Sequence, residues 1–214
     1  MELFHYFGIH YKELLYICDS CYLLIFYNIR IPGRSLRLFL NGEIISAEDF
    51  DHTYGSSMFV HYFLELPMGW SLASDVSGED QGLTQTCYIR SDKEVAHFGH
   101  PFCLDLYYDT NRLDKNEDKM PKWPQLFFEV ISLDQWSRCR TEGYGNISIP
   151  IHAGCYDNMI VETWRPILPT SEMRRYFIGG TPELEDLSYC GGSNSMATDS
   201  NVLSRYITTV PGMS

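Results

Sequence analysis

Apolar residues recur at every second position in several short segments of this chain, and this period restricts the fold more than any other feature. In residues 58–66 every second residue is apolar, and His61 and Glu65 lie between them. Residues 102–108 follow the same period, whereas residues 125–132 carry apolar side chains on both sides, as a central strand requires. An alternation of this kind is typical of a half-buried β-strand. The pattern therefore predicts an all-β protein.

Shorter β-prone segments complete a set of eight predicted strands. They are residues 37–40, 43–47, 84–90, 144–149 and 159–164. Turn-forming residues separate the segments and no long helical pattern lies between them, which favours an antiparallel β-sandwich. We expect its two sheets within residues 43–166. The side chains expected in its core are Val60, Tyr62, Leu104, Leu106, Phe128 and Val130.

Helices are expected only at the periphery of this sandwich or near the start of the chain. Capping residues predict two short helices, one at 170–177 and one from Thr181. Residues 11–26 could form a longer helix, because several of their apolar residues share one helical face. The apolar run at 14–29 is too short to span a membrane and contains Asp19, so we expect no anchor there.

Acidic residues outnumber basic residues by 28 to 16, which gives the chain a net charge of −12. Because binding to DNA or RNA depends on Lys and Arg that neutralise phosphates, we expect no nucleic-acid partner. The acidity is concentrated in residues 38–89, which contain eight acidic residues and no Lys or Arg. That part of the surface is expected to repel an anionic membrane. Any contact with such a membrane must therefore involve other residues.

Sequence motifs of known enzymes are absent. The chain has no nucleophile elbow, no phosphate-binding loop and no zinc-protease motif. Cys87, His97, His100 and Cys103 are residue types that bind zinc, but both cysteines lie in predicted strands, where a small apolar side chain suffices for packing. We therefore expect no catalytic residues, no metal ion and no cofactor.

Five short motifs occur in a fixed order in the second half of the chain. They are Trp-Pro-Gln-Leu-Phe-Phe-Glu-Val at 123–130, Glu-Gly-Tyr-Gly at 142–145, Thr-Trp-Arg-Pro at 163–166, Arg-Arg-Tyr-Phe-Ile-Gly-Gly at 174–180 and Leu-Glu-Asp-Leu at 184–187. Together they resemble the B9 domain, and the last two resemble the largest of the three kinds of B9 protein. The resemblance implies a B9 domain at 42–189, preceded by an N-terminal extension of unknown structure at 1–41. The Gly, Ser, Asn and Thr residues from Gly191 onward predict a flexible tail at 190–214.

This family resemblance implies a C2-like antiparallel β-sandwich with short peripheral helices, the class that the strand pattern predicts independently. It implies no enzymatic activity. It implies assembly with the other B9 proteins in a membrane-associated complex of the ciliary transition zone, on its cytoplasmic side near the basal body and the cytoskeleton, which is needed for cilium formation. The expected function is therefore that of an interaction scaffold.

Some C2-like sandwiches bind calcium through loops rich in aspartate, because several hard oxygen atoms must surround the ion. The resemblance places Ser132 and Asp134 where calcium-binding members carry two aspartates. Glu142 is the one acidic residue expected nearby on the next strand, so Asp51 and Asp134 are the main remnants of such a site. We therefore expect no calcium binding.

The residues that follow the strand at 125–132 form the candidate contact site. Trp136 lies beside Arg138 and Arg140 at an expected tip of the sandwich. An indole near guanidinium groups suits contact with lipid headgroups or with a partner protein. The alternative is that Trp136 packs back onto the sandwich and only stabilises it. A calcium-independent phospholipid-binding module is accordingly the alternative to the scaffold function.

Overall fold

The computed structural model describes residues 9–17, 21–28, 35–50, 57–73, 80–89, 95–109, 122–157 and 159–166, together with 177, 183–184, 190 and 207–208. The strands in these residues are β1 (Ile9–Ile17), β2 (Cys21–Asn28), β3 (Ser35–Glu48), β4 (Ser57–Glu65), β5 (Trp70–Leu72), β6 (Gln81–Leu83), β7 (Cys87–Tyr88), β8 (Val95–Asp109), β9 (Gln125–Leu133), β10 (Cys139–Ser148), β11 (Gly154–Tyr156), β12 (Met159–Pro166), β13 (Glu183–Leu184) and β14 (Ile207–Thr208). Among the described residues there is no helix with the length and apolar character needed to span a membrane.

Twelve of these strands form one antiparallel sheet that folds back on itself. Its main path has the order β11-β2-β3-β1-β12-β10-β9-β4-β6, while β8 pairs with β3, β5 pairs with β8 and β7 pairs with β4. One half of the sheet contains β11, β2, β3, β1 and β12 with β8 and β5, and the other half contains β10, β9, β4 and β6 with β7. The two halves meet where β10 adjoins β12, at the pair Tyr144 and Trp164. Gly145 permits this close approach, because a Cβ atom there would lie only 2.6 Å from Cγ1 of Val161.

The two halves of the sheet face each other across one apolar core. Tyr62 of β4 contacts Phe102 of β8 with ring centroids 5.8 Å apart, although these strands lie in different halves. All six side chains expected in the core belong to it and are at most 8% exposed. The alternation in the sequence therefore arises because each strand has one face toward this core. The predicted antiparallel β-sandwich is confirmed.

The start of the chain does not form the helix that one reading of its sequence allowed. Of the described residues in this segment, residues 11–17 lie in β1 and residues 21–26 lie in β2. β1 pairs with β12 on one side and with β3 on the other, so the sheet supplies the backbone hydrogen bonds that a helix makes within itself. Leu15 and Ile17, two positions apart, are both buried. The β-branched and aromatic content of the segment suits these pairings, which override its helical face.

The observed strands differ from the predicted strands in two further places. Residues 37–40 and 43–47, expected as separate strands, belong to the single long strand β3. The strand expected at 84–90 is described as far as residue 89, and within that part only Cys87–Tyr88 form a strand, which pairs with β4.

The expected peripheral helices fall mostly outside the described residues. Of the helix at 170–177, only Phe177 is described, and its backbone is helical. Glu183–Leu184, within the helix expected from Thr181, instead pair with β14 as a strand, and Leu184 is buried next to Tyr144. The borders expected for the B9 domain, after residue 41 and after residue 189, stay a prediction.

Candidate functional site

Two of the candidate contact residues, Trp136 and Arg138, lie in the turn between β9 and β10, residues 134–138, which we name the β9–β10 turn. Arg140 lies at the start of β10. The Asp134 N–H donates to the Arg138 carbonyl at 3.2 Å, and the Ser137 N–H donates to the Asp134 carbonyl at 2.9 Å. Ser137 has a φ angle of 59°, a left-handed conformation that is uncommon outside glycine, and the surrounding bonds must hold it there. The turn is therefore fixed by its own backbone bonds.

Asp134 organises this turn through its side chain. Its Oδ1 accepts hydrogen bonds from the backbone N–H groups of Trp136 at 2.8 Å and Arg138 at 3.0 Å. Its Oδ2 accepts from Nε of Arg138 at 2.7 Å and from Nη2 of Arg140 at 2.9 Å. Burial alone raises the pKa of Asp134, but the hydrogen bonds from Arg138 and Trp136 and the Arg138 charge outweigh burial and hold this pKa below its ordinary value. The carboxylate is therefore ionised at neutral pH.

Trp136 projects from this fixed turn into solvent. The residue is 60% exposed, so the alternative in which it packs back onto the sandwich is wrong. The guanidinium carbon of Arg138 lies 4.8 Å from the centre of the indole ring, within the range of a cation–π interaction. Arg138 also donates through Nη1 to the carbonyl of Phe177, whose own side chain is 66% exposed. Arg138 thus links the turn to a second exposed aromatic residue.

The structure brings Trp136, Arg138 and Arg140 together around Asp134, but it does not expose all three. Arg138 is partly exposed, whereas Arg140 is buried and its guanidinium group is directed to Asp134. Of the two arginines, Arg138 is therefore the one placed to meet a partner or a lipid headgroup. The assignment of these residues as a contact site stays a prediction.

A second polar cluster, not found from the sequence, lies behind the turn. Glu142 accepts a hydrogen bond from the Ser132 hydroxyl at 2.6 Å through Oε1, and from Nη1 of Arg165 at 3.1 Å through Oε2. All three residues are buried. The strand register shifts between Thr141 and Gly143, and this irregularity places Glu142 in the interior beside its two partners. Gly143, just before the strand expected at 144–149, was the one sequence signal of such an irregularity.

The two clusters also bear on metal binding. The described residues contain no group of three or more His, Cys, Asp or Glu side chains arranged to hold a metal ion. The carboxylates of Asp134 and Glu142 are occupied by arginine donors. Ser132, at the position where a second aspartate is expected in calcium-binding relatives, donates to Glu142. Asp51 lies outside the described residues, so its part in any site stays untested.

Comparisons with known proteins agree with the motifs in the sequence. Residues 38–212 match the family model B9-C2, described as "Ciliary basal body-associated, B9 protein". The tectonic-like complex member MKS1 of Homo sapiens is 44% identical over 169 residues, which are 76% of this chain and 28% of that protein. The protein of the same name from Rattus norvegicus is 43% identical over 164 residues, 74% of this chain and 28% of the relative.

A smaller B9 protein is similar over most of its own length. B9 domain-containing protein 2 of Homo sapiens is 33% identical over 144 residues, 67% of this chain and 73% of that protein. The identity is higher to MKS1 than to this relative, as the resemblance to the largest kind of B9 protein predicted. Nevertheless, the chain corresponds to only 28% of the length of the MKS1 relatives.

Proposed function

Because this chain belongs to the B9 protein family, we propose that it acts as a non-enzymatic interaction module of a ciliary protein complex. The family model describes its members as ciliary basal body-associated, and MKS1 is by name a member of the tectonic-like complex. By analogy, this chain assembles with other B9 proteins in a membrane-associated complex needed for cilium formation. That complex lies on the cytoplasmic side of the transition zone, near the basal body and the cytoskeleton.

The observation that carries this proposal is the place of the family motifs in the fold. The motifs at 123–130, 142–145 and 163–166 lie on or next to β9, β10 and β12, around the junction of the two halves of the sheet. Phe127 and Phe128 of the first motif are each 1% exposed. These two motif residues thus help to maintain the core of the sandwich. A fold maintained by buried motif residues leaves the surface of the sandwich to make the contacts of an interaction module.

The β9–β10 turn is the surface that we propose for contact with another B9 protein. Exposed tryptophan and arginine side chains are enriched in the residues that dominate binding energy at protein interfaces. Trp136 is presented on a backbone that Asp134 already holds, so little conformational entropy is lost when a partner covers it. Phe177, which Arg138 joins to the turn, extends the apolar area.

Co-purification from cells that express this chain with the two smaller B9 proteins tests the proposal. We expect a stable complex, and we expect Trp136→Ala to reduce recovery of the partners by tenfold or more, about 1.4 kcal/mol of binding free energy. Met68→Ala is the matched control, because Met68 is 88% exposed and lies in the turn after β4, away from the β9–β10 turn. Failure of all three proteins to co-purify would contradict the scaffold function.

The second candidate is a calcium-independent phospholipid-binding module, which the exposed Trp136 next to Arg138 favours. The electrostatic support for it is limited, because Asp134 neutralises part of the arginine charge and Arg140 is buried. Flotation with vesicles that contain anionic phospholipid, without partner proteins, separates the candidates. A lipid module floats and loses flotation with Trp136→Ala, whereas a scaffold remains in solution.

A further inference from the structure

Two strands at the start of the chain complete the sandwich, although they precede the part that matches the family model. That match begins at residue 38, within β3, whereas β1 and β2 end at residues 17 and 28. Both strands nevertheless lie inside the sheet and have neighbours on two sides. β3 borders them on one side, and β12 and β11 border them on the other.

β1 and β2 run one after the other along the same groove. On the β3 side, Ile17 pairs with Ile44 and Tyr22 pairs with Asn41. On the opposite side, β1 follows β12 as far as Met159 and β2 then follows β11. The two strands are therefore collinear along β3, and we name residues 9–17 and 21–28 together the long strand. We name the groove between β3 on one side and β11 and β12 on the other the strand slot.

Buried side chains anchor this long strand in the slot. Leu15 is fully buried and Ile17 is 2% exposed, and both belong to the main core. Leu15 lies opposite Val161 of β12, which is also buried. Without β1, the facing edges of β3 and β12 would expose unpaired backbone groups and the core would lose two apolar side chains. An edge of this kind is a template for another extended segment.

We propose that the strand slot is a peptide-binding site, and that the long strand, residues 9–17 and 21–28, occupies it as a separable segment. Backbone hydrogen bonds on two sides supply the affinity, and the buried Leu15 and Ile17 set the register, as in other cases of strand addition. The segment therefore stays bound when its covalent link to β3 is cut, and the same segment from a second copy can replace it. This inference does not depend on the proposed ciliary function.

A cut in the full chain tests whether the strand is held without its covalent link. A specific protease sequence is inserted into residues 29–34, between β2 and β3, and the folded protein is cleaved. We expect the N-terminal fragment and the remainder to co-elute in gel filtration, with an unchanged far-ultraviolet circular dichroism spectrum, and to separate only in denaturant. Separation of the fragment in native buffer, or aggregation after the cut, would overturn the proposal.

Exchange with free peptides then tests the register. A labelled peptide of residues 9–28 is incubated with the cleaved protein, and unlabelled peptides compete with it. We expect the Leu15→Asp peptide to compete at least tenfold more weakly than the unmodified peptide, about 1.4 kcal/mol, since a charge would enter the core. Equal competition by this peptide, or by one of scrambled sequence, would show that the slot does not recognise the strand.

A substitution in the wall of the slot provides the matched control. Ile160 and Val161 are neighbours in β12 and therefore point to opposite faces of the sheet. Because Ile160 is exposed, we expect Ile160→Asp in the cleaved protein to leave peptide uptake within twofold of the unmodified value. A loss of tenfold or more with this variant would assign the affinity to the outer face and overturn the role of the buried residues.

Discussion

The two ends of β9 use tryptophan in opposite ways. Before β9 begins, the ring of Trp123 meets that of Trp70 edge-on with centroids 5.0 Å apart, and Trp70 also contacts Tyr108 at 5.1 Å. Trp70 is 7% exposed and its Nε1 donates to the Lys122 carbonyl at 3.1 Å. After β9 ends, Trp136 is exposed and is contacted by Arg138. At one end the indole packs on other aromatic rings, and at the other end it is exposed to solvent.

The sandwich therefore uses different residues for stability and for recognition. At the buried end, aromatic rings pack on one another and their removal leaves a cavity. At the exposed end, Asp134 holds the backbone through hydrogen bonds, so the turn keeps its shape without burial of Trp136. Large changes in the free energy of unfolding are therefore expected from Trp70, intermediate changes from Asp134 and small changes from Trp136.

Trp70→Ala is expected to lower the free energy of unfolding more than the substitutions at Asp134 and Trp136. Truncation of a buried tryptophan costs about 3–5 kcal/mol, because the apolar contacts are lost and the cavity is only partly filled. The free energy of unfolding, measured in urea, should fall by that amount. Trp70→Phe keeps an aromatic ring next to Trp123 and Tyr108 and should cost less than half as much. Equal and small losses from the two variants would mean that this end is not the stabilising one.

Asp134→Asn is expected to have the next largest effect on the free energy of unfolding. An amide is neutral and has one acceptor oxygen, so it cannot replace the carboxylate as the partner of both arginine side chains. Loss of a hydrogen bond to a charged group costs about 1.5–3 kcal/mol when its partner is buried. Arg140 is buried next to Asp134, whereas Arg138 can turn toward water. The free energy of unfolding at pH 7 should therefore fall by about 2 kcal/mol. A change of only a few tenths would show that the turn is held without its carboxylate.

The pH dependence of the same variant follows from the lowered pKa of Asp134. A carboxyl group whose pKa is lower in the folded state stabilises the protein above its unfolded pKa, which is about 3.9 for aspartate. That contribution is lost as the pH falls through the lower, folded-state pKa. The difference in unfolding free energy between the wild type and Asp134→Asn should therefore be constant from pH 7 to 5 and shrink at more acidic pH. A difference that grows on acidification would contradict this sign.

The fold was predictable wherever one face of a strand meets the core. Residues 58–66 and 102–108 alternate because the opposite half of the sheet buries every second side chain, whereas residues 125–132 are apolar on both sides. Residues 11–26 were ambiguous, because their apolar positions fit both a helical and an extended period. Their pairing with β12 joins segments more than 140 residues apart in the chain, and no local pattern records such a pairing.

The candidate site was predictable in position but not in its contacts. The sequence placed Trp136, Arg138 and Arg140 at a tip, yet the burial of Arg140 depends on the register of β9 and β10. The pair between Glu142 and Arg165 joins β10 to β12 and likewise needs the strand order. Such cross-strand partners follow from topology, which residue types alone do not specify.

Trp136→Ala is expected to change stability much less than Trp70→Ala. The exposed indole contributes little buried area, and its contact with Arg138 is worth about 0.5–1 kcal/mol at such a site. The unfolding free energy should therefore change by no more than about 1 kcal/mol. Trp136 should instead contribute to binding, so the variant should fold but recover less of the partner proteins in the co-purification. A loss of several kcal/mol in stability would place Trp136 in the same class as Trp70 and remove the contrast.

Calcium is expected to have the smallest effect, although the resemblance to calcium-binding C2-like proteins places two of their aspartates at Ser132 and Asp134. A ligand at one hundred times its dissociation constant stabilises a folded protein by about 2.7 kcal/mol, which is readily seen as a higher melting temperature. Here Asp134 gives both oxygens to hydrogen bonds, and Glu142 is bound by Ser132 and Arg165. Calcium would have to displace arginine donors and would meet their positive charges. Melting curves in millimolar calcium and in chelator should therefore coincide. An increase of several degrees that disappears in Asp134→Asn would instead show that the ion displaces the arginines from this turn.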